Sequence, residues 1–192
     1  MDKSLIDEEI KKACEVMRNG GIILYPTDTV WGIGCDATNS EAVARIFELK
    51  QRIDSKALIV LLSNENHLQR YVDDVPDIAY ELIEATVKPL TIVFDCGRNM
   101  CKELYAPDGS VGIRITREEF SNRLCYKYRK PIVSTSANIS GSPTPITFNQ
   151  ISNEIINGVD YVVNYRREDN SKHQPSSVIK LSKNGVIKIL RN

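Results

Sequence analysis

Ser134-Thr135-Ser136-Ala137-Asn138 places three hydroxyls and an amide directly after Pro131-Ile132-Val133, which reads as a short buried strand. In open α/β sheets ligands bind beyond the carboxyl ends of strands, so this row stands where a polar ligand would be met. Ser, Thr and Asn also favour ordinary turns by bonding their own backbone, and alone the stretch implies no more than that. Cations occur at two further places. Lys50 and Arg52 follow a helical pattern. If the chain is extended there, the period of two puts both on one side; if the helix continues, they are solvated and complement its dipole. Neither is expected to belong to the core. Arg114 lies within Val111-Gly112-Ile113-Arg114-Ile115, where alternation sends it and Gly112 to the face opposite the three aliphatic residues. Gly112 leaves room there for a ligand. A charge inside an apolar strand needs an anionic partner, because an unpaired buried charge is costly. That partner is either a ligand carboxylate gripped by the guanidinium fork or an acid of the chain itself, with Asp28 as the candidate.

The elements that must carry these residues follow from hydropathy periods. Ser4 to Asn19 has helical spacing and is stopped by Gly20-Gly21. Ile22 to Tyr25 is a strand, and Pro26 to Gly34 a loop too polar and glycine-rich to be core. Ser40 caps a helix over residues 41–49. Leu58 to Leu62 is a continuous apolar strand of the kind buried on both faces. A short helix to Tyr71, a helix over Asp77 to Val87 and a strand over Leu90 to Phe94 come next. A loop with a helical turn leads to Val111–Ile115, then a helix from Arg117 to Tyr128. Thr147 to Gln150 matches a capping box and opens a helix through Ile156. Tyr161 to Val163 is a strand, and Tyr165 to Gln174 a hydrophilic, mobile loop. Asn184-Gly185 joins Ser177–Leu181 to Val186–Leu190 in a hairpin. About eight strands and five or six helices in mixed order predict one α/β domain over residues 1–192, a twisted mixed parallel and antiparallel sheet flanked by helices.

Composition narrows the function. Of 192 residues 42% are hydrophobic and 26% charged, with 25 basic against 25 acidic residues. A dominant binder of phosphate backbone is usually basic, so an RNA contact has to rest on a local patch. Arg123, Lys127, Arg129 and Lys130 interleaved with Tyr126 and Tyr128 make one, though a solvated helix face has the same composition. Five cysteines without a C-x-x-C pair and two histidines argue against structural zinc. No apolar run reaches the length of a membrane span and no secretory leader is seen, which points to a reduced cytoplasmic compartment.

Two familiar motifs fail on context. Gly32-x-Gly34 fits a relaxed dinucleotide fingerprint, but a long loop separates it from its strand and the next helix starts near Ser40. Ser177-x-x-Lys180 with Ser136-x-Asn138 imitates the penicillin-binding pattern in reversed order and without K-T-G. No Walker A sequence is present. What remains is Tyr25-Pro26-Thr27-Asp28-Thr29 after the first strand, Lys50-x-Arg52 after the second helix, Arg114 in a strand, and Ser136-x-Asn138. In these positions and this order the chain resembles the YrdC-like threonylcarbamoyl-AMP synthase family in its short, single-domain form. The match runs from about Gly20 to the end.

The resemblance implies a nucleotidyltransferase that converts L-threonine, bicarbonate and ATP, with Mg²⁺, into L-threonylcarbamoyladenylate and pyrophosphate. A partner transferase then carries the group to the adenosine beside the anticodon of certain tRNAs, with tRNA contact by this chain as a further expectation. By resemblance Lys50 and Arg52 are catalytic, and Arg52, Lys56, Ser110, Ser136 and Asn138 surround ATP. Thr29, Arg114, Ser134 and Ser176 surround threonine, Ser176 belonging to Pro175-Ser176-Ser177-Val178-Ile179. Metal ligands are not indicated. Ile53 stands where the family has Pro, and Lys88 where it has Gly. The alternative is a non-catalytic RNA- or nucleotide-binding paralogue, but such paralogues lack the K-x-R and S-x-N pairs that are intact here.

Overall fold

The structure is a computed structural model and describes residues 3–51, 58–171 and 175–192. Its frame is a sheet of nine strands among the described residues. They are β1 (Ile23–Tyr25), β2 (Gly32–Gly34), β3 (Ile59–Leu62), β4 (Leu90–Phe94), β5 (Val111–Ile115), β6 (Ile132–Ser136), β7 (Tyr161–Val162), β8 (Ser177–Leu181) and β9 (Ile187–Arg191). Across the sheet the order is β7-β1-β2-β6-β3-β5-β4-β8-β9. β1 with β7, β3 with β5 and β4 with β8 are parallel, and the remaining neighbours antiparallel. This is the mixed α/β sheet that the hydropathy pattern predicts, with its terminal hairpin.

Six α-helices cover it: α1 (Lys3–Arg18), α2 (Ser40–Leu49), α3 (Leu68–Tyr71), α4 (Ile78–Ala85), α5 (Glu119–Tyr128) and α6 (Asn153–Gly158). The two faces are buried differently. Ala42, Val43 and Ile46 of α2, Leu68 and Tyr71 of α3, Ala79 of α4 and Ile155 of α6 pack on Leu24, Ile33, Val60, Ile92, Val111 and Ile113. On the other face Ile6, Ile10 and Met17 of α1 and Phe120, Leu124 and Tyr128 of α5 cover Ile23, Tyr25, Leu61 and Ile132, with Val163 and Tyr165 in the same cluster. That second face is therefore roofed over β1, β3 and β6, while β5, β4 and β8 contribute none of its buried apolar cluster. The site lies there.

Four local expectations are corrected. The segment after Pro26 is not an exposed loop: Thr27, Thr29 and Trp31 are buried, and Gly32–Gly34 forms the buried strand β2. Glycine is what makes this strand fit, since a Cβ at Gly34 would stand 2.5 Å from the Val133 carbonyl oxygen and 2.7 Å from the Tyr25 ring. The cap of α2 is Asn39, whose side chain accepts from the Ala42 amide, with Ser40 already helical. The Thr147–Gln150 capping box is present, but it closes a single 3-10 turn over Phe148–Gln150; Ile151 is extended (φ −72°, ψ 130°) and Ser152 caps α6 afresh. The start of the 165–174 segment is also tied down, with Tyr165 stacked on Phe120 at 5.4 Å and Arg166 paired to Glu118 and Asp169. Residues 172–174 lie outside the described ones.

Candidate active site

A cavity of about 750 Å³ occupies the unroofed face, and the predicted residues converge on it. Thr29, Lys50, Ser110, Arg114, Ser134, Ser136, Asn138 and Ser176 all line its wall. Arg52 and Lys56 lie outside the described residues, as does Ile53. The register explains the convergence. Leu61 pairs with Arg114, Ile59 with both Gly112 and Ser134, and Thr91 with Arg114, so alternate residues of four strands share one face. Ile59 and Val93 pair with Gly112 and form with it an apolar floor between Ser110 and Arg114, and Val178 continues it at the level of Arg114.

Arg114 is 3% exposed. Its Nη2 lies 2.9 Å from Asp28 Oδ1 and donates to the Thr29 hydroxyl at 3.4 Å. The chain's own acid is thus present behind the guanidinium, while Nε has no hydrogen-bond partner. Arg114 thus has an internal pair and also a place on the cavity wall. Burial raises the Asp28 carboxyl above its ordinary range, and the pull of Arg114 does not cancel it. The pair is therefore a positioning device more than a stabilising one. Thr27 braces the same corner, donating to the Val30 carbonyl at 2.7 Å while its hydroxyl accepts from the Thr29 amide at 3.1 Å.

Lys50 differs from the expectation of an exposed cation. It is 2% exposed, and the chain around it is not extended: Lys50 ends α2 in helical geometry and Gln51 turns left-handed at φ 50°. The Lys50 ammonium donates to the carbonyls of Ser136 and Asn138 at 2.5 and 2.6 Å, and its own carbonyl accepts from the Ser140 amide at 2.9 Å. Lys50 and the S-x-N pair are thereby one object, the lysine holding the backbone of the loop that carries Ser136 and Asn138. The Asn138 amide donates to the carbonyls of Ile139 and Ser142, which closes that loop on itself.

Sequence reasoning missed the residues that hold Ser176. Thr91 and Ser176 share a hydroxyl hydrogen bond of 2.8 Å, and Arg191 donates to the Ser176 carbonyl at 3.0 and 2.9 Å. Only the pairing of β4 with β8 and β8 with β9 brings them together, so no spacing signals them. Lys88 borders a second cavity of about 300 Å³, which Asp28, Arg117 and Glu118 also line. The basic patch lies elsewhere, on α5 and the two residues after it, where Arg123 pairs with Asp7 and Glu119 and Lys130 with Asp36. Among the described residues no cluster of three or more His, Cys, Asp or Glu could hold a metal, and no helix is long and apolar enough to cross a membrane.

The chain is similar to known proteins in sequence and in fold. The Sua5/YciO/YrdC family model, described as Telomere recombination, matches residues 15–192. A threonylcarbamoyl-AMP synthase of Pseudoalteromonas translucida (strain TAC 125) is 34% identical over 181 residues, 93% of this chain and 95% of the relative. That of Shigella flexneri is 36% identical over 154 residues, 79% of this chain and 81% of the relative. P. abyssi Sua5 complexed with L-threonine superposes with a TM-score of 0.78 at 27% identity, covering 90% of this chain and 50% of that longer protein. With the family model covering residues 15–192, and with Lys50 meeting Ser136 and Asn138 on one cavity wall, the chain belongs to the Sua5/YciO/YrdC family.

Proposed function

We propose that this chain is a threonylcarbamoyl-AMP synthase, joining L-threonine, bicarbonate and ATP into L-threonylcarbamoyladenylate with release of pyrophosphate. The observation that carries the reading is a buried guanidinium, Arg114, at one end of a hydroxyl-lined cavity that also holds the Lys50-clamped loop. Threonine's carboxylate meets Arg114, with Thr29, Ser134 and Ser176 around the amino acid. ATP lies toward Ser110, Ser136 and Asn138, with Arg52 and Lys56 assigned to it by family resemblance. Threonine's amine and bicarbonate condense to a carbamate with loss of water. The carbamate oxygen then attacks the α-phosphorus and the bond to the β-phosphate breaks. Such a nucleophile is already anionic, so the protein contributes placement and charge neutralisation more than proton abstraction. Arg52 neutralises phosphate charge, and Lys50 acts by fixing the loop.

Mg²⁺ fits as a companion of the nucleotide. The described cavity wall offers hydroxyl and amide oxygens but no carboxylate, so the phosphates would supply its main ligands. When bound it would offset phosphate charge. We further assign the chain to the cytoplasm, upstream of a tRNA-modifying transferase that takes the adenylate, with any tRNA contact secondary. The test is to incubate the protein with threonine, bicarbonate, ATP and Mg²⁺ and seek the adenylate by mass spectrometry. Threonine-dependent pyrophosphate release together with that mass is expected; pyrophosphate release that ignores threonine overturns the reading.

A further inference from the structure

Ser110 is buried, immediately precedes β5, and lines the same cavity as Gly112 and Arg114. Its hydroxyl is already committed. Both its N–H and its O–H donate to Oδ1 of Asp108, at 3.0 and 2.6 Å. The other carboxylate oxygen of Asp108 accepts from the Lys180 ammonium at 2.8 Å. Lys180 is in turn 3.6 Å from Asp95. The turn beneath is rigid: the Gly109 amide donates to the Ala106 carbonyl at 2.8 Å, the Ala106 amide to the Ser110 carbonyl at 2.8 Å, and Gly109 takes the left-handed conformation at φ +81°. An ionised carboxylate only accepts, so the Ser110 proton points at Asp108 and the lone pairs are what remain for a ligand. Phosphate oxygens are acceptors too, and the charge-assisted bond to Asp108 opposes rotating the hydroxyl towards them.

Position agrees with polarity. Ser110, the residue before β5, and Arg114 within it are four residues apart, about 13 Å for extended chain, further than the short threonylcarbamoyl group reaches. The apolar floor of Ile59, Val93 and Gly112 lies between them.

We propose that Asp108 and Lys180 lock Ser110 as a hydrogen-bond acceptor, and that Ser110 thereby reads an N–H or O–H donor of the nucleoside, the adenine 6-amino group or a ribose hydroxyl. Asp108 is a positioning residue and Ser110 the specificity-determining one. The inference rests on the cavity being the nucleotide site proposed above. Equilibrium binding to the full chain tests it, with ATP, ITP, 2′-deoxy-ATP, 3′-deoxy-ATP and inorganic tripolyphosphate as probes. Ser110→Ala weakens ATP about tenfold, the worth of one such bond, and leaves tripolyphosphate unchanged. The weakening disappears with ITP if the amine is the donor, or with one deoxynucleotide if a ribose hydroxyl is. Asp108→Ala, which frees the hydroxyl, shifts selectivity in the same direction by a smaller factor, and Ser110→Thr restores it. Equal weakening of ATP and tripolyphosphate in Ser110→Ala overturns the proposal, as does no change with any probe. If this pattern appears while no adenylate forms, the synthase reading fails and the acceptor lock stands. If adenylate forms without the pattern, the lock fails alone.

Discussion

Lys50 and Arg114 are nearly inaccessible cations on the wall of one cavity, and they are held in opposite ways. Arg114 leans on a carboxylate, Asp28, and on the Thr29 hydroxyl, with Nε left over. Lys50 gives its protons to two neutral carbonyls of the Ser136–Asn138 loop. A cation backed by an acid keeps its place when the ligand leaves, and its fork stays aimed at the cavity. A cation that staples a loop determines where that loop's side chains stand. On the proposed function the first contributes recognition and the second architecture, although both are basic residues in signature positions.

The sharpest way to break this contrast is Lys50→Ala. Two carbonyls lose a charge-assisted donor, which costs about 2–4 kcal/mol of stability. In a chain of this size that lowers Tm by roughly 5–15 °C. Adenylate formation falls by about a hundredfold as Ser136 and Asn138 lose their frame. Calorimetry and the adenylate assay on one preparation check both. An unchanged Tm with lost activity would return Lys50 to direct phosphate contact, the role that the sequence alone implies.

Arg114→Lys comes next. The charge survives but the fork does not, so the threonine requirement rises about tenfold or more, equivalent to about 1.4 kcal/mol, with ATP binding less affected. Separate threonine and ATP titrations decide it. Unchanged threonine affinity with a lowered Tm would make the pair with Asp28 the whole role of Arg114.

Asp28→Asn is expected to have a smaller effect, and its sign follows from titration. Burial raises the Asp28 pKa in the folded chain, so folding favours the protonated form and stability falls as pH rises through the unfolded and then the folded pKa. Above that window the charged pair is no net stabiliser. Asp28→Asn therefore changes Tm by only a few degrees at pH 7, removes that pH dependence and weakens threonine binding several-fold through a misdirected Arg114. Tm measured from pH 4 to 8 separates the cases. A large loss of stability at pH 7 alone would show a pair held by attraction.

The difference between the two cations also explains what could be read in advance. Arg114 was legible because alternation along Val111–Ile115 leaves a charge nowhere to go but the cavity face. The role of Lys50 was not, because the carbonyls it meets belong to a loop far along the chain, and hydrogen bonds between a side chain and distant backbone leave no periodic trace. β2 was missed for a related reason. Three residues rich in glycine carry no strand propensity, and they pair only because β1 and β6 stand on either side. The capping box on Thr147 was read correctly as local chemistry and wrongly as the start of a long helix, since Ile151 takes an extended conformation that no cap controls. Asp108, Thr91 and Arg191 sit beside functional side chains through turn geometry and strand pairing.

The smallest effect belongs to the region furthest in kind from both cations, the basic face of α5. Arg123 pairs with Asp7 and Glu119 at a partly exposed position, and no residue of α5 borders the cavity. Pairs of this kind contribute at most about 1 kcal/mol each and are screened by salt. Reversing Arg123 and Lys127 to Glu places like charges beside Asp7 and Glu119, so Tm falls by a few degrees at low ionic strength and recovers with salt. Adenylate formation stays within about twofold, because neither side chain borders the cavity and Phe120, Leu124 and Tyr128 still bury the inner face of the helix. A tRNA contact on this patch would appear separately, as weakened tRNA binding in the same variant with adenylate synthesis intact. Should synthesis fall as far as in Lys50→Ala, the chemistry would belong to the roofed part of that sheet face, beneath α1 and α5, and the assignment of the open cavity would be lost.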